Sequence, residues 1–203
     1  TVAPYALSGE MKLRVTARCK NNEEGDRLIA PVLAEIQETL GDVIYSVNDE
    51  ELHVACAALL KAYNVTIAVA ESCTGGMIAS KLVSVPGISE FFLEGAVTYS
   101  NDAKIRRLGV KKETLAEHTA VSAEVAREMA DGIRLAANAS LGLATTGIAG
   151  PDGGTQERPV GLVFIALSSN CGTTVRELHL TGNRERIRNA ASLHALDLLR
   201  RHL

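Results

Sequence analysis

The chain has 203 residues and a formal net charge of −3, and it is 46% hydrophobic and 22% charged. That length and apolar content suit one domain of ordinary size with a real core, plus a smaller one. With no Trp, aromatics at 3% and no excess of positive charge, base-stacking platforms and a basic footprint for nucleic acid are disfavoured.

No apolar run approaches the roughly 20 residues of a membrane span, and no signal peptide is visible. Cys19, Cys56, Cys73 and Cys171 are scattered without a C-x-x-C pair. They read as free thiols of a cytoplasmic protein, not as a disulfide frame or a zinc site. Thr1 in place of Met points to a fragment or processed chain with a further domain upstream.

Taken in order, Thr1 to Gly9 reads as an incoming linker. Met11 to Cys19 alternates strictly, with Met11, Leu13 and Val15 facing one way and Lys12, Arg14 and Thr16 the other, which predicts a half-buried strand. Glu23 to Leu40 carries a helical apolar stripe, with Pro31 inside it predicting a kink or a later start. Val43-Ile44-Tyr45 is expected to form a second strand. This β-α-β unit of about 45 residues is too small to bury much by itself. Its basic strand face lacks a G-x-x-G clamp, so it reads as solvated rather than RNA-binding. A boundary is placed near Asp49, dividing residues 1–48 from 49–203. Asp49 is expected to cap a helix running to Tyr63.

Val65 to Gly76 (VTIAVAESCTGG) is the pivotal stretch. A short apolar strand ends in Glu71-Ser72-Cys73-Thr74, and Gly75-Gly76 turns the backbone into a helix with Met77, Ile78, Leu82 and Val83. Ser72, Cys73 and Thr74 are candidate nucleophiles. N–H groups at the following helix start can bind an anion or a developing oxyanion. A capped helix start with small buried residues is the plainer alternative. Phe91 to Thr98 predicts another strand, and Ser100 or Asn101 caps the helix carrying Lys104. Ser122 is expected to cap a helix to about Ala137. Ser140 to Thr145 predicts a strand running into TGIAGPDGG, where Gly147, Gly150, Gly153 and Gly154 expose backbone N–H groups. Val160 to Ser168 and Thr173 to Leu180 form a hairpin, and Arg186 to Leu203 the last helix.

These elements predict an α/β fold: a three-layer α/β/α domain with a mixed sheet, preceded by a small α+β domain. Three polar clusters fall at strand ends: Glu71–Gly76, Tyr99–Lys104 and Thr145–Gly154. The glycine loop is neither a Walker A loop nor a dinucleotide fingerprint, because Gly147, Gly150 and Gly153 are spaced G-x-x-G-x-x-G. The histidines, His118 nearest, lie outside the clusters, so no Ser-His-Asp triad is visible. Lys104 can serve as general base if burial lowers its pKa, and is otherwise a solvated helix lysine. Arg184 and Arg188 share a helix face and can hold a phosphate, or else are a solvated face paired with Glu185. No spacing suits a metal.

AESCTGG at 70–76, VTYSNDAK at 97–104, TGIAGPDGGT at 146–155, RPVG at 158–161 and GNRERIR at 182–188 resemble the CinA C-terminal family, which includes the bacterial nicotinamide-nucleotide amidases. The motifs run in the family's order across residues 49–203. Residues 1–48 resemble the KH-like domain that precedes this module. In full-length members a molybdopterin-binding-like domain with pyrophosphatase activity comes first.

The resemblance implies hydrolysis of the carboxamide of nicotinamide mononucleotide to nicotinate mononucleotide and ammonia, without metal or organic cofactor. Ser72 would be nucleophile, Lys104 its base, and Tyr99 an aid to positioning or proton transfer. Glu71, Cys73, Thr74, Gly75, Gly76, Thr146, Gly147 and Gly150 would bind the substrate, and Arg184 its 5′-phosphate. The implied partners are this small nucleotide and a second copy of the chain in a homodimer, with no nucleic acid and no membrane. A non-catalytic nucleotide-binding module of a competence/damage-inducible protein is the alternative. A Lys104 pKa near neutrality would favour the enzyme, and an ordinary exposed lysine the binder.

Overall fold

The structure, a computed structural model, describes residues 1–7 and 9–203. It divides into two compact units, Thr1–Glu50 and Glu51–Leu203.

In the first unit, β1 (Val2–Ala6) pairs antiparallel with β2 (Met11–Val15). The linker expected over Thr1 to Gly9 is therefore a strand through Ala6; Ser8 lies outside the described residues. Pro4 has no N–H to give, which a strand at a sheet edge tolerates. The expected strand at 43–45 is also corrected. Gly41–Val43 is a 3-10 turn, and Val43 is exposed. The ladder partner of β2 is its sequence neighbour β1, whose pairing closes a far shorter loop. Tyr45 is held instead by its hydroxyl, which donates to Glu10 Oε1 at 2.6 Å. Between them, α1 (Asn22–Leu40) passes through Pro31 and starts early, where the Asn21 side chain accepts from Glu24 N–H at 2.9 Å.

The second unit opens with α2 (Leu52–Tyr63), whose N-cap residue is Glu51 without a side-chain bond. Asp49, the expected cap, instead accepts from the Lys12 ammonium at 2.6 Å. The strands β3 (Ile67–Glu71), β4 (Phe92–Val97), β5 (Leu141–Gly147), β6 (Leu162–Ser169) and β7 (Gly172–His179) form a sheet in the order β4-β3-β5-β6-β7. β3 runs parallel to both β4 and β5, while β5–β6 and β6–β7 are antiparallel. The sheet is mixed, as the hairpin signal predicts. β3, β5 and β6 are buried along nearly their whole length and read as apolar runs, as strands covered on both faces must.

The helices are α3 (Met77–Val83), α4 (Asn101–Leu108), α5 (Lys112–His118), α6 (Ala123–Ala136) and α7 (Arg184–His202). The chain leaves β3 toward β4 on one side through α3, then returns past β3 to β5 through α4, α5 and α6. Right-handed crossovers in opposite directions place their helices on opposite faces. Accordingly α7 packs with α2 and α3, and α6 packs with α4 across the sheet. The carboxyl ends of β3, β4 and β5 meet where the direction of travel reverses, the usual place for a ligand crevice in such sheets.

The face toward α6 is built from small residues, Ala68, Ala70, Ala96, Ala144 and Ala166, against Val125, Met129 and Ile133. Small residues let α6 come close. Its Gly132 lies so near α4 that a Cβ there would stand 1.9 Å from the Leu108 carbonyl oxygen. Leu108 is one turn beyond Lys104, so this close approach sets the position of the helix carrying that lysine. Gly132→Ala is expected to cost about 3 kcal/mol, the upper end of ordinary overpacking. Thermal melting checks this: a Tm several degrees below wild type is expected, and an unchanged Tm would show that α4 and α6 can separate freely.

Candidate active site

β3 ends at Glu71, and the turn that follows is fixed from several sides. The two carboxylate oxygens of Glu71 accept from the N–H groups of Gly76 (2.9 Å), Ile78 (3.2 Å) and Ala79 (2.8 Å). A carboxylate at the N-terminus of α3 satisfies orphan donors and complements the helix dipole. Of the N–H groups expected to be open to an anion at this helix start, those of Gly76, Ile78 and Ala79 are thus taken up by Glu71. Glu71 therefore acts on the site by fixing α3. Ser72 N–H donates to the Thr145 carbonyl at 3.0 Å, and the hydroxyls of Thr74 and Thr145 lie 2.7 Å apart. Gly75 and Gly76 take φ of +62° and +95°, which lets the chain leave the sheet edge within two residues.

Ser100 begins α4 as expected, its Oγ accepting from Ala103 N–H at 3.1 Å. Lys104 then falls on the inner side of the first turn and is only 1% exposed. Its Nζ lies 3.0 Å from the Thr98 carbonyl, 3.2 Å from the Tyr99 carbonyl and 3.1 Å from Ser72 Oγ. Burial lowers its pKa below the ordinary lysine value, against a smaller opposing effect of Cys73. A neutral amine has two N–H groups and one lone pair. The two carbonyls can only accept, so they take the two N–H groups and leave the lone pair for the Ser72 hydroxyl. That is the arrangement of a general base on its nucleophile.

Cys73, next in the chain, is buried, and desolvation pushes its thiol up to about 11. It is held as the thiol and does not compete with Ser72. Thr98 is a residue that sequence reasoning missed. Besides its carbonyl bond to Lys104, its buried hydroxyl has no partner among the described residues.

The glycine loop and the last helix complete the arrangement. Thr146 is 1% exposed, and its hydroxyl donates to the Ala120 carbonyl at 2.6 Å, tying the strand end to the loop before α6. Gly147 lies against β6 where no Cβ would fit. Asn183 caps α7, which starts at Arg184 rather than Arg186. Arg184 Nη1 donates to the Gly150 carbonyl at 2.7 Å and Nη2 to the Tyr99 hydroxyl at 3.1 Å. One guanidinium thus ties Tyr99, just after β4, to the Gly150 loop after β5.

Arg188 goes elsewhere. Its Nε donates to the Cys73 carbonyl at 3.1 Å and its Nη2 to the Thr74 carbonyl at 2.7 Å. Arg184 and Arg188, read as a pair able to hold a phosphate or else as a solvated face, thus bond to different backbone groups. Hydrogen bonds therefore link Ser72, Lys104, Tyr99, Gly150 and Arg184. His118 stands apart on α5, facing Glu124 and Glu117 at 3.7 and 3.8 Å. Among the described residues no His, Cys, Asp or Glu cluster suited to a metal occurs.

Residues 49–203 match the profile of the CinA C-terminal domain, and residues 1–46 that of the damage-inducible protein CinA KH domain. The chain belongs to the CinA family. It is 54% identical over its whole length to a putative competence-damage inducible protein of Clostridium botulinum (strain Okra / Type B1), of which it covers 50%. It is 53% identical to a CinA-like protein of Kosmotoga olearia, of which it covers 49%. The chain thus spans about half the length of these relatives. The crystal structure of the competence/damage inducible protein CihA from Agrobacterium tumefaciens superimposes with a TM-score of 0.72 at 39% identity, covering 77% of this chain and 96% of that one. A CinA superfamily protein from Escherichia coli gives 0.72 at 33% identity, covering 79% of this chain and 97% of that one. No described helix is long and apolar enough to cross a membrane.

The lowered pKa of Lys104 has a signed consequence. Between that pKa and 10.5 the unfolded chain binds more protons than the folded one, so stability rises with pH across the interval. Below the interval the cost of burying the group is constant. The wild type measured against Lys104→Met is expected to gain stability as pH rises through this window. A difference independent of pH up to 10.5 would mean an ordinary lysine.

Proposed function

We propose that this site hydrolyses a carboxamide by acyl transfer through Ser72, with Lys104 as base, and that its substrate is nicotinamide mononucleotide. The carrying observation is the buried Lys104 Nζ, 3.1 Å from Ser72 Oγ and 3.0 and 3.2 Å from the Thr98 and Tyr99 carbonyls. Burial of this lysine favours a catalyst over a passive nucleotide-binding module, which would need no desolvated amine. The resemblance of the five motifs to nicotinamide-nucleotide amidases supports the choice of amide.

Ser72 Oγ attacks the carboxamide carbon as its proton passes to Lys104 Nζ. The carbonyl oxygen takes the charge. The C–N bond then breaks, and the Lys104 ammonium gives its proton to the departing nitrogen, which leaves as ammonia. A water adds to the acyl-Ser72 ester and yields its proton to Lys104. The ester bond breaks and Ser72 regains the proton, releasing nicotinate mononucleotide. Arg184, anchored on Gly150 and Tyr99, presents its remaining N–H groups to the 5′-phosphate. Tyr99, with its hydroxyl on Arg184, is a positioning residue in this scheme.

Ser72→Ala is expected to abolish ammonia release while nicotinamide mononucleotide still binds by calorimetry. Loss of binding as well would make Ser72 structural. Arg184→Ala is expected to raise KM with kcat little changed, because a phosphate grip far from the scissile bond stabilises ground and transition states alike. An unchanged KM would take the arginine out of the site.

A further inference from the structure

Arg188 belongs to the last helix, yet both of its bonds described above go to the turn carrying the nucleophile. α7 lies on the α2/α3 face of the sheet, and Lys104 comes from α4 on the opposite face. The Cys73 carbonyl is therefore directed toward the α7 side. In a trans peptide the C=O and the following N–H point opposite ways, and the only cis bond among the described residues is Gly150–Pro151. Thr74 N–H is thus directed away from Arg188. The Gly76, Ile78 and Ala79 amides donate to Glu71, and this peptide lies next to Ser72 in the chain. A guanidinium on its carbonyl also polarises the peptide and strengthens that N–H.

The missing Cβ of Gly75 makes room for the contact. A Cβ there would stand 3.2 Å from Arg188 Nη2, tighter than an ordinary van der Waals contact.

We propose that Arg188 is a positioning residue that orients and polarises the Cys73–Thr74 peptide, so that Thr74 N–H donates to the oxygen gaining charge as Ser72 attacks. It does not itself hold the phosphate. What the N–H binds rests on the amidase reading above; the orientation of the peptide does not.

The test compares wild type, Arg188→Ala and Arg188→Lys with nicotinamide mononucleotide, and follows the Thr74 amide by selective 15N labelling of threonine. For Arg188→Ala, kcat is expected to fall on the order of 10- to 100-fold, as when an oxyanion donor is weakened or lost, with KM little changed. Added guanidinium ion is expected to restore part of kcat. The Thr74 amide proton is expected to shift upfield, while the Thr173 and Thr174 amides of β7 stay in place.

Wild-type kcat in the variant would overturn the proposal, as would a raised KM at unchanged kcat or an unmoved Thr74 amide. Should Arg188→Ala fail to fold, Arg188→Lys serves, since its ammonium lacks the fork to span both carbonyls. An intermediate kcat is expected there, and a wild-type value would contradict the proposal. If the wild type releases no ammonia at all, the amidase reading fails, and the Thr74 shift alone still decides whether Arg188 sets this peptide.

Discussion

A lysine nitrogen removed from water has to be given partners for its hydrogens, and the second unit of this protein is arranged around that requirement at Lys104. Its partners are the two carbonyls at the end of β4, Thr98 and Tyr99, and the Ser72 hydroxyl at the end of β3. Two parallel strands must therefore end side by side, and the helix after β4 must turn back over them. Ser100 starts that helix at the right residue. The close contact at Gly132 holds its far end against α6. The result is an amine whose burial favours the neutral form and which, when neutral, can turn its lone pair to Ser72.

Charged side chains around this pair divide the work by where their partners lie. Glu71 closes α3 from beneath, so the turn after Ser72 leaves the sheet in one fixed direction. Arg188 holds the same turn from α7 through two carbonyls. Arg184 bridges the Gly150 loop and Tyr99. The proposed acylation would need little motion from such a framework, because Lys104 and Ser72 are already held together. Preorganisation of this kind is usually the largest contribution to lowering a barrier of charge development.

Much of this was legible in the sequence, and the exceptions share a cause. The strand ends, the caps at Ser100 and Ser122 and the hairpin near Cys171 are local patterns, and local patterns survive folding. Lys104 could be singled out because it follows a strand end and a cap at a fixed interval. Its burial could not, since a lysine on a short helix is normally solvated. The same limit applies to Glu71 and Arg188. Their polar heads suggested ligand contacts, but backbone groups seven and 115 positions away in sequence claim them. In the first unit, Pro4 concealed β1, and Val43-Ile44-Tyr45 had strand propensity without a ladder to join. Propensity yields there to the nearer pairing of β1 with β2.

The central claim is that Ser72 forms a covalent acyl intermediate with Lys104 as its base. The most direct measurement is rapid-quench mass spectrometry of the protein during turnover of nicotinamide mononucleotide, followed by mapping of any adduct. The account predicts a nicotinate mononucleotide ester on the peptide containing Ser72, formed in the wild type and lost in Lys104→Met. Turnover with no adduct, or an adduct carried by Cys73 or Thr74, would contradict it.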